Sequence, residues 1–311
     1  MTMKINHYFS RDEIQALTNR DNGRALWMLL CNWIAIFALL VIPFIWTNPL
    51  TILLSIVLLA GRQLGLAVIM HECGHRSFFT SNSVNRFVGQ WLAAAPIFNN
   101  LDVFFSGHRE HHKLAGTHHD PDLGNYERYP VSTDSFKRKV VRDLTGQTGI
   151  KFMAYVLTSA AGVLKKDKRE SAKPMAYALF AQLVFLLVLS LLMAPWVYLL
   201  WLASIMTSFM LVIRIRQVAE HAATPDLYDP DPRNNTRTVI PSWWERIVIA
   251  PNYVNYHLEH HFMAAVPCYR LRELHQKLKS MGVYDQTYIY RGYGEVIERA
   301  MGGNPGAALT T

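Results

Sequence analysis

The sequence predicts an all-α membrane protein: four transmembrane helices arranged as two hairpins, below a cytoplasmic cap of shorter helices. Three observations predict this fold. The 311 residues are 51% apolar with a mean hydropathy of +0.09, which is more apolar than an ordinary soluble domain. The apolar residues gather in four long blocks, and the histidines gather in three short clusters. The blocks predict the membrane spans, and the clusters are expected on the cytoplasmic side of those spans.

The four apolar blocks are each long enough to cross the hydrocarbon core of a bilayer as a helix. The predicted spans cover residues 25–46, 50–70, 175–194 and 196–213. Thr47–Pro49 and Ala194–Pro195 separate the members of each pair, so the spans are expected to form two hairpins. Arg62 interrupts the second span, and its long side chain is expected to reach the interface or a structural partner.

The distribution of basic residues predicts the orientation of these spans. Neither turn contains Lys or Arg, whereas the segment between the hairpins is rich in both. Because basic loops stay in the cytoplasm, both termini and the cap, residues 71–174 and 214–285, are expected there. Residues 286–311 would form a tail whose Gly/Ala-rich end is typical of disorder. The chain, 1–311, is thus predicted to be a single integral-membrane domain.

Shorter apolar stretches complete the predicted secondary structure. Val84–Phe98 and Thr148–Leu164 are expected to be helices that lie at the interface, and Leu271–Met281 to be an amphipathic helix. Met1–Arg24 is polar and charged, so a cleavable signal peptide is not expected.

Composition also excludes several functional classes. The net charge of +8 fits the positive-inside bias of a membrane protein, and no basic run is interleaved with aromatic residues, so no nucleic-acid partner is expected. Cys31, Cys73 and Cys268 are scattered, which favours neither a disulfide scaffold nor an iron–sulfur cluster.

The three histidine clusters are the most informative feature of the chain. They are His71-Glu-Cys-Gly-His75, His108-Arg-Glu-His111-His112 and His257-Leu-Glu-His260-His261. Offsets of three and four residues place side chains on one face of a helix, so each cluster can present its imidazoles to one side. Composition alone would produce an HxxHH pattern only about 0.02 times in a chain of this histidine content. With His221 after the fourth span, all clusters fall on the cytoplasmic side of the predicted topology.

These clusters predict a site for two metal ions. Nine imidazoles are too many for one ion, but divided into four and five they suit two ions with positions left open: His71, His75, His108, His111, His112, His221, His257, His260 and His261. Imidazole binds zinc, copper, iron and nickel, so the ligand type does not choose the metal. His118 and His119 fit a polar turn equally well, and His7 and His275 are interpreted as incidental.

Acidic residues stand within or beside each group of histidines. Glu72, Glu110, Glu220 and Glu259 each lie one step from a predicted ligand, where a carboxylate could accept a hydrogen bond from an imidazole and orient it. The alternative is that these acids simply solvate the cap.

The histidine pattern resembles the membrane-bound fatty acid desaturase family, which includes related hydroxylases and carotenoid-modifying oxygenases. That family carries HxxxH or HxxxxH followed by two HxxHH-type motifs after paired membrane spans, which His71–His75, His108–His112 and His257–His261 match. Asn234–Val239 and Ala250–Tyr256 look particularly like bacterial acyl desaturases. The resemblance extends from the first span to about Leu271.

The resemblance implies a di-iron centre that uses O2 to introduce a double bond into a fatty acyl chain of a lipid. His221 matches an additional histidine ligand of the family, and Gln217 stands where animal acyl-CoA members have an asparagine that helps to hold one iron through water. Two electrons per turnover would come from a separate ferredoxin, or from a cytochrome b5-type donor, with its reductase. The location implied is a bacterial inner membrane.

Other interpretations remain open at this stage. On the same scaffold the reaction could be hydroxylation or ketolation of a lipid or carotenoid. His71–His75 is also an HExxH motif, which would make an intramembrane zinc protease with Glu72 as general base, but such a site needs one zinc and few further histidines. A membrane haem or metal-transport protein would place its ligands within the bilayer rather than outside it.

Overall fold

The fold is mainly helical in a computed structural model that describes residues 5–165, 167–285 and 287–302. Numbered in chain order, its α-helices are α1 Ile5–Tyr8, α2 Arg11–Thr18, α3 Asn22–Ile45, α4 Pro49–Gly74, α5 Asn82–Phe87, α6 Leu101–Leu114, α7 Thr133–Leu144, α8 Gln147–Ala161, α9 Arg169–Leu192, α10 Val197–Met206, α11 Ser208–His221, α12 Pro232–Asn235, α13 Trp243–Val248, α14 His257–Phe262, α15 Leu271–Ser280 and α16 Tyr293–Ala300. Short 3-10 turns lie at Ala95–Ile97, Leu123–Asn125, Gly162–Leu164, Pro251–Tyr253 and Cys268–Arg270, and a π-helix covers Val88–Ala94. The strands are β1 Val239–Ile240 and β2 Tyr290–Arg291.

Four of the described helical segments are long and apolar enough to cross a membrane: α2 with α3, α4, α9, and α10 with α11. Two of them continue beyond the predicted spans. α4 extends past residue 70 to Gly74, and α11 extends past residue 213 to His221. The extensions matter because they carry histidines on rigid helices rather than on loops.

The turn between α3 and α4 is set by local sequence. Asn48 caps α4 by accepting hydrogen bonds from the backbone N–H groups of Leu50 and Thr51. Pro49 occupies the first turn, where its missing N–H costs nothing. The chain therefore reverses sharply and starts a new helix.

α3 and α4 then pack along each other in opposite directions. The amide of Asn32 donates to the carbonyl of Arg62 (3.1 Å), and the hydroxyl of Ser55 donates to the carbonyl of Leu39 (2.7 Å). Ile36, Leu40, Leu59, Leu64 and Trp201 are buried in the centre of the bundle that these helices form with α10. Buried polar groups are thus hydrogen-bonded within an otherwise apolar core.

The segment predicted as one interfacial helix over Val84–Phe98 is instead α5 followed by the π-helix and the 3-10 turn. Pro96 explains part of the irregularity, because it cannot donate a helical hydrogen bond. The amide of Gln182 donates to the carbonyls of Ala95 and Pro96 (2.8 and 2.7 Å), and the indole of Trp201 donates to the carbonyl of Pro96 (3.1 Å). Neighbouring helices therefore satisfy the carbonyls that the irregular backbone leaves free.

The end of the chain contributes elements that the sequence analysis did not assign. β1 pairs in parallel with β2, a two-residue exception to the all-α expectation. α16 buries Tyr293, Val296 and Ala300 in a cluster that includes Val218 of α11. The Gly/Ala-rich end, residues 303–311, lies outside the described residues.

Candidate metal centre

Four helices bring the histidine clusters to one place. His71 and His75 lie at the end of α4, His108, His111 and His112 on α6, His221 at the end of α11, and His257, His260 and His261 on α14. The clusters meet because these four helices carry their histidines to the same end of the bundle.

A glycine allows the first two clusters to approach. A Cβ atom on Gly74 would lie 2.5 Å from the ring of Phe105, closer than side chains pack. The absence of that atom lets α6 lie directly against the end of α4. The ring nitrogens Nε2 of His75 and His108 are consequently 3.1 Å apart.

The third cluster is aimed by a sharp bend before α14. Asn252 and Tyr253 both have left-handed backbone angles, with φ of 54° and 63°, which non-glycine residues seldom adopt. The amide of Asn252 donates to the carbonyl of Gly65 (2.9 Å) and so fastens the bend to α4. This contact fixes α14 relative to the first cluster.

The nine histidines fall into two groups. A five-histidine group contains His71, His75, His108, His112 and His260, and a four-histidine group contains His111, His221, His257 and His261. Within each group one nitrogen from every ring lies within 4.8 Å of the others. The groups adjoin, since the rings of His112 and His261 stack with centroids 4.4 Å apart.

The nitrogens of the five-histidine group are arranged for a cation. Successive Nε2 atoms of His75, His108, His112 and His260 are separated by 3.1, 3.0 and 2.9 Å. A neutral imidazole carries one proton, so a nitrogen with two such neighbours cannot donate well to both. Lone pairs that converge on one positive ion explain the crowding better.

Unsatisfied nitrogens support the same conclusion. Nε2 of His71 and Nε2 of His261, one from each group, are buried and have no hydrogen-bond partner within the described residues. Buried polar atoms normally find partners, and an exception calls for an explanation such as a missing ion. The donor set therefore fits two metal ions, one per group.

Hydrogen bonds at the other ring nitrogen fix which nitrogen faces inward. In both groups Nδ1 points to an acceptor: that of His71 to Glu72 (3.1 Å), that of His111 to Asp120 (2.8 Å) and that of His221 to the carbonyl of Asn235 (3.0 Å). An N–H at Nδ1 leaves a lone pair at Nε2. This is how metal-binding histidines are usually oriented.

Burial favours the neutral form of six of these rings, four in the five-histidine group and two in the four-histidine group. Desolvation lowers the pKa of His75 to about 4 and that of His112 to about 3. It also holds the pKa values of His108, His257, His260 and His261 well below the ordinary value, with neighbouring histidines adding to the effect. Neutral imidazole is the form that binds a metal.

Two of the four acids proposed from the sequence contact histidines of the groups. The carboxylate of Glu72 accepts from His71 and also from the hydroxyl of Ser77 (2.9 Å) and the backbone N–H of Cys268 (2.8 Å). Glu220 is paired with Arg216 (2.6 Å) and lies 3.4 Å from Nδ1 of His257. Both acids are buried.

The other two acids differ from expectation. Glu110 is exposed and pairs with Lys113 (2.7 Å), so the expectation that it orients an imidazole is corrected: it lies on the outer face of α6. The carboxylate of Glu259 is buried but accepts from His275 (2.5 Å), Tyr284 (2.6 Å) and Thr238 (2.5 Å) instead of from a histidine of the two groups. It therefore anchors α14 to α15 and to the chain before β1.

Gln217 is half-buried on α11, one turn before His221, and makes no side-chain hydrogen bond with any residue that the structure describes. His118 stacks on Tyr228, with centroids 4.0 Å apart, and belongs to neither group. Exposed His119 is likewise outside both groups.

Sequence reasoning missed two residues. Asp120 is buried; burial alone would raise its pKa, but hydrogen bonds from His111 and Tyr126 hold the pKa below its ordinary value. The only signal was the position of Asp120 just after the second histidine cluster. His275, interpreted as incidental, is buried against Glu259, and its place on the apolar face of an amphipathic helix was a usable signal.

An open cavity of about 450 Å³ adjoins the site. Its lining includes Cys73 and Gly74 of α4 and Phe105 of α6. Arg76, Arg86 and Arg109 also line it, with Arg86 paired to Asp102 (2.9 Å), so the lining has a net positive charge. The lining includes Gly74 and Arg76, the two sequence neighbours of His75, so the cavity lies beside the five-histidine group.

Comparison with known proteins decides the family. The family model for fatty acid desaturase matches residues 45–292, well over half of the chain and all nine histidines. The chain belongs to the fatty acid desaturase family. It is 25% identical over 248 residues to the dihydrorhizobitoxine desaturase of Bradyrhizobium elkanii, covering 75% of this chain and 68% of that protein. It is also 26% identical over 254 residues to the sn-1 oleoyl-lipid 12-desaturase of Synechocystis sp., covering 72% of this chain and 68% of that protein.

Family membership makes the chain a desaturase-type oxidoreductase and, with its four apolar helices, a membrane protein. The zinc-protease interpretation loses its support, because His71 and His75 share their group with three further histidines. The histidine groups are compatible with a metal centre of the kind that the sequence predicts.

Proposed function

We propose that the chain is an O2-dependent di-iron desaturase that introduces a double bond into the acyl chain of a lipid. The observation that supports this most strongly is the sorting of nine buried or partly buried imidazoles into two adjoining groups, in a member of the fatty acid desaturase family. Both relatives described above are named desaturases, and one of them is named for a lipid-bound acyl chain.

The five-histidine group would hold one iron and the four-histidine group the other. When bound, the two irons would supply the activation of O2 that hydrogen removal from an unactivated methylene requires, since no side chain is a strong enough oxidant. Every assigned ligand is a neutral histidine, so the site adds no ligand charge of its own. The ions would therefore remain strongly electron-poor.

The chain's own groups would hold this arrangement rigid. Glu72, Asp120 and the carbonyl of Asn235 fix the ring orientation of His71, His111 and His221 through Nδ1. Acceptors of this kind also make an imidazole a better ligand. Gln217, one turn before His221 on α11, would contribute through a bridging water.

The surroundings suit a lipid substrate. The groups lie at the ends of α4 and α11, whose remaining lengths are apolar, so a hydrocarbon chain can approach from the membrane side. A polar or anionic head could occupy the cavity lined by Arg76, Arg86 and Arg109, because guanidinium groups recognise such groups well. The headgroup would then lie near His75, and the acyl chain would extend from there toward the apolar helices.

Two electrons per turnover would come from a separate ferredoxin, or a cytochrome b5-type protein, with its reductase. The net charge of +8 favours an acidic partner, which electrostatic attraction would guide to the basic segment between the second and third spans. Because basic loops favour the cytoplasm, the proposed location of this segment and of both termini is cytoplasmic. The proposed location of the spans is a bacterial inner membrane.

Expression and lipid profiling test the proposal. Fatty acids from cells that express the wild-type chain with a ferredoxin and its reductase are compared with those from cells that express a His111→Ala/His260→Ala variant. A new unsaturated species with the wild type alone supports desaturation. A hydroxylated or keto product would instead establish the alternative reaction on the same scaffold, and no product from iron-loaded, reducible protein would contradict both.

A further inference from the structure

Helix α13 presents an unusual surface for a segment expected in an aqueous cap. Trp243 is 76% exposed, Trp244 49% and Ile247 43%, on a helix of only six residues. Two tryptophans and an isoleucine side by side would be costly to leave in water. Something apolar is expected to cover them.

The contacts of α13 show how far along α4 it lies. A Cβ atom on Gly61 would be 2.2 Å from the carbonyl oxygen of Ile247, so the backbones touch at that level. The chain then rises along α4: Asn252 bonds to Gly65, and the ring of His260 lies 4.4 Å from that of His71. At 1.5 Å per residue, α13 is about 14 Å closer than His71 to the middle of α4.

The belt of exposed apolar side chains on α3 allows the depth of α13 in the bilayer to be estimated. The belt is bounded by Trp27 and Trp46, 68% and 65% exposed, which are about 28 Å apart along the helix. That separation matches the hydrocarbon thickness of a bilayer, and tryptophans favour its two boundaries. Asn32, which bonds to the carbonyl of Arg62, is about 8 Å inside the Trp27 boundary. α13 contacts α4 at this same level.

Polar groups at both ends of α13 have hydrogen-bond partners, which lowers the cost of insertion into lipid, and the exposed Arg246 is long enough to extend its guanidinium toward the interface. At the start, the carboxylate of Glu245 accepts from the backbone N–H and hydroxyl of Ser242 (2.7 and 2.8 Å) and from the backbone N–H of Tyr293 (2.7 Å). At the end, the guanidinium of Arg62 donates to the carbonyl of Ile247 (2.8 Å). This bond also gives Arg62 a partner within the second span.

We infer that residues 241–256 form a re-entrant loop that dips into the leaflet on the histidine side, with α13 at its tip. Trp243, Trp244 and Ile247 contact lipid about 8 Å below the boundary, the depth typical of interfacial helices. The loop enters from β1 and returns to the third histidine cluster at His257. It would therefore tie the height of that cluster to the membrane surface, independently of the reaction catalysed.

Site-directed spin labelling tests the depth. A nitroxide is attached at Trp243→Cys in a Cys31→Ser background, which removes the exposed cysteine and leaves the two buried ones. Reference labels are placed at Ile34 on the lipid-facing side of α3, 63% exposed, and at exposed Asp134 on α7. Collision rates with O2 and with a water-soluble nickel chelate are measured in lipid nanodiscs.

The loop predicts an O2-to-chelate collision ratio at Trp243 several-fold above that at Asp134 and close to that at Ile34. A ratio equal to that at Asp134 overturns the inference. A label shielded from both reagents also overturns it, because a second protein surface would then cover the helix. Labels at Trp244 and Ile247 repeat the measurement, so the test survives the misfolding of one variant.

Discussion

Replacing Asp120 with asparagine tests the carboxylate that orients His111 in the four-histidine group and that also accepts from Tyr126. The carboxylate lies 2.8 Å from Nδ1 of His111, and the two side chains are only 1% and 3% exposed, so water screens their interaction little. Asparagine keeps the shape but removes the charge that favours an N–H at Nδ1. Loss of such a contact lowers metal affinity roughly 10- to 100-fold. That is about 1.4–2.8 kcal/mol, in the range expected for a hydrogen bond to a charged group.

The assay is competition for Fe(II) between the purified protein and a chelator of graded concentration. We expect Asp120→Asn to release about one of its two irons at a chelator concentration at which the wild type retains both. Glu110→Gln is the matched control, because Glu110 is also beside a histidine of α6 but faces outward. Wild-type retention by Asp120→Asn, or an equal loss in Glu110→Gln, would refute the assigned orientation of His111.

Three further changes test other parts of the site. His260→Ala should lower the iron content from two to about one per chain and abolish activity, while membrane insertion persists. The control, His118→Ala, should keep both irons. Equal iron contents of the two variants in metal analysis would remove His260 from the site. Gly74→Ala should push α6 away from α4, destabilise the fold by roughly 1–3 kcal/mol and weaken iron binding to the five-histidine group. In its control, Gly107→Ala, the added carbon has nothing within 4 Å. This variant should keep both irons and melt no lower than wild type, because alanine is favoured over glycine within a helix such as α6. Equal losses of stability and iron in the two variants would contradict the close contact. Glu259→Gln should cost about 2 kcal/mol of unfolding free energy, and an unchanged melting temperature would show that its three hydrogen bonds do not stabilise α14.

Local pattern was enough to predict the helical elements that carry the histidines. Spacings of three and four residues predict helices whether or not the rest of the fold is known, and the imidazoles of the two HxxHH motifs do lie on helices, α6 and α14. Each motif nevertheless divides its imidazoles between the two groups. Long apolar blocks can likewise be recognised from the local sequence alone, and the described residues include four helices of the required length and hydropathy. The division of nine histidines into five and four also agrees with the expectation.

What the sequence could not predict depends on contacts between distant residues. His112 joins His260 and not its neighbour His111, because adjacent side chains on a helix point about 100° apart. His112 thereby reaches the histidines of α4, whereas His111 reaches His221 of α11. The support given by Asp120 depends on how a turn folds back, and the pairing of Arg62 with Ile247 joins residues 185 positions apart. No periodicity within one segment reports such distances.

Element-specific metal analysis of the purified, active protein tests the central claim most directly. The two groups of histidines predict two irons per chain, with about one remaining in His260→Ala and about one in His221→Ala. Catalytically active protein that contains zinc instead of iron, or no metal at all, would contradict the proposed centre.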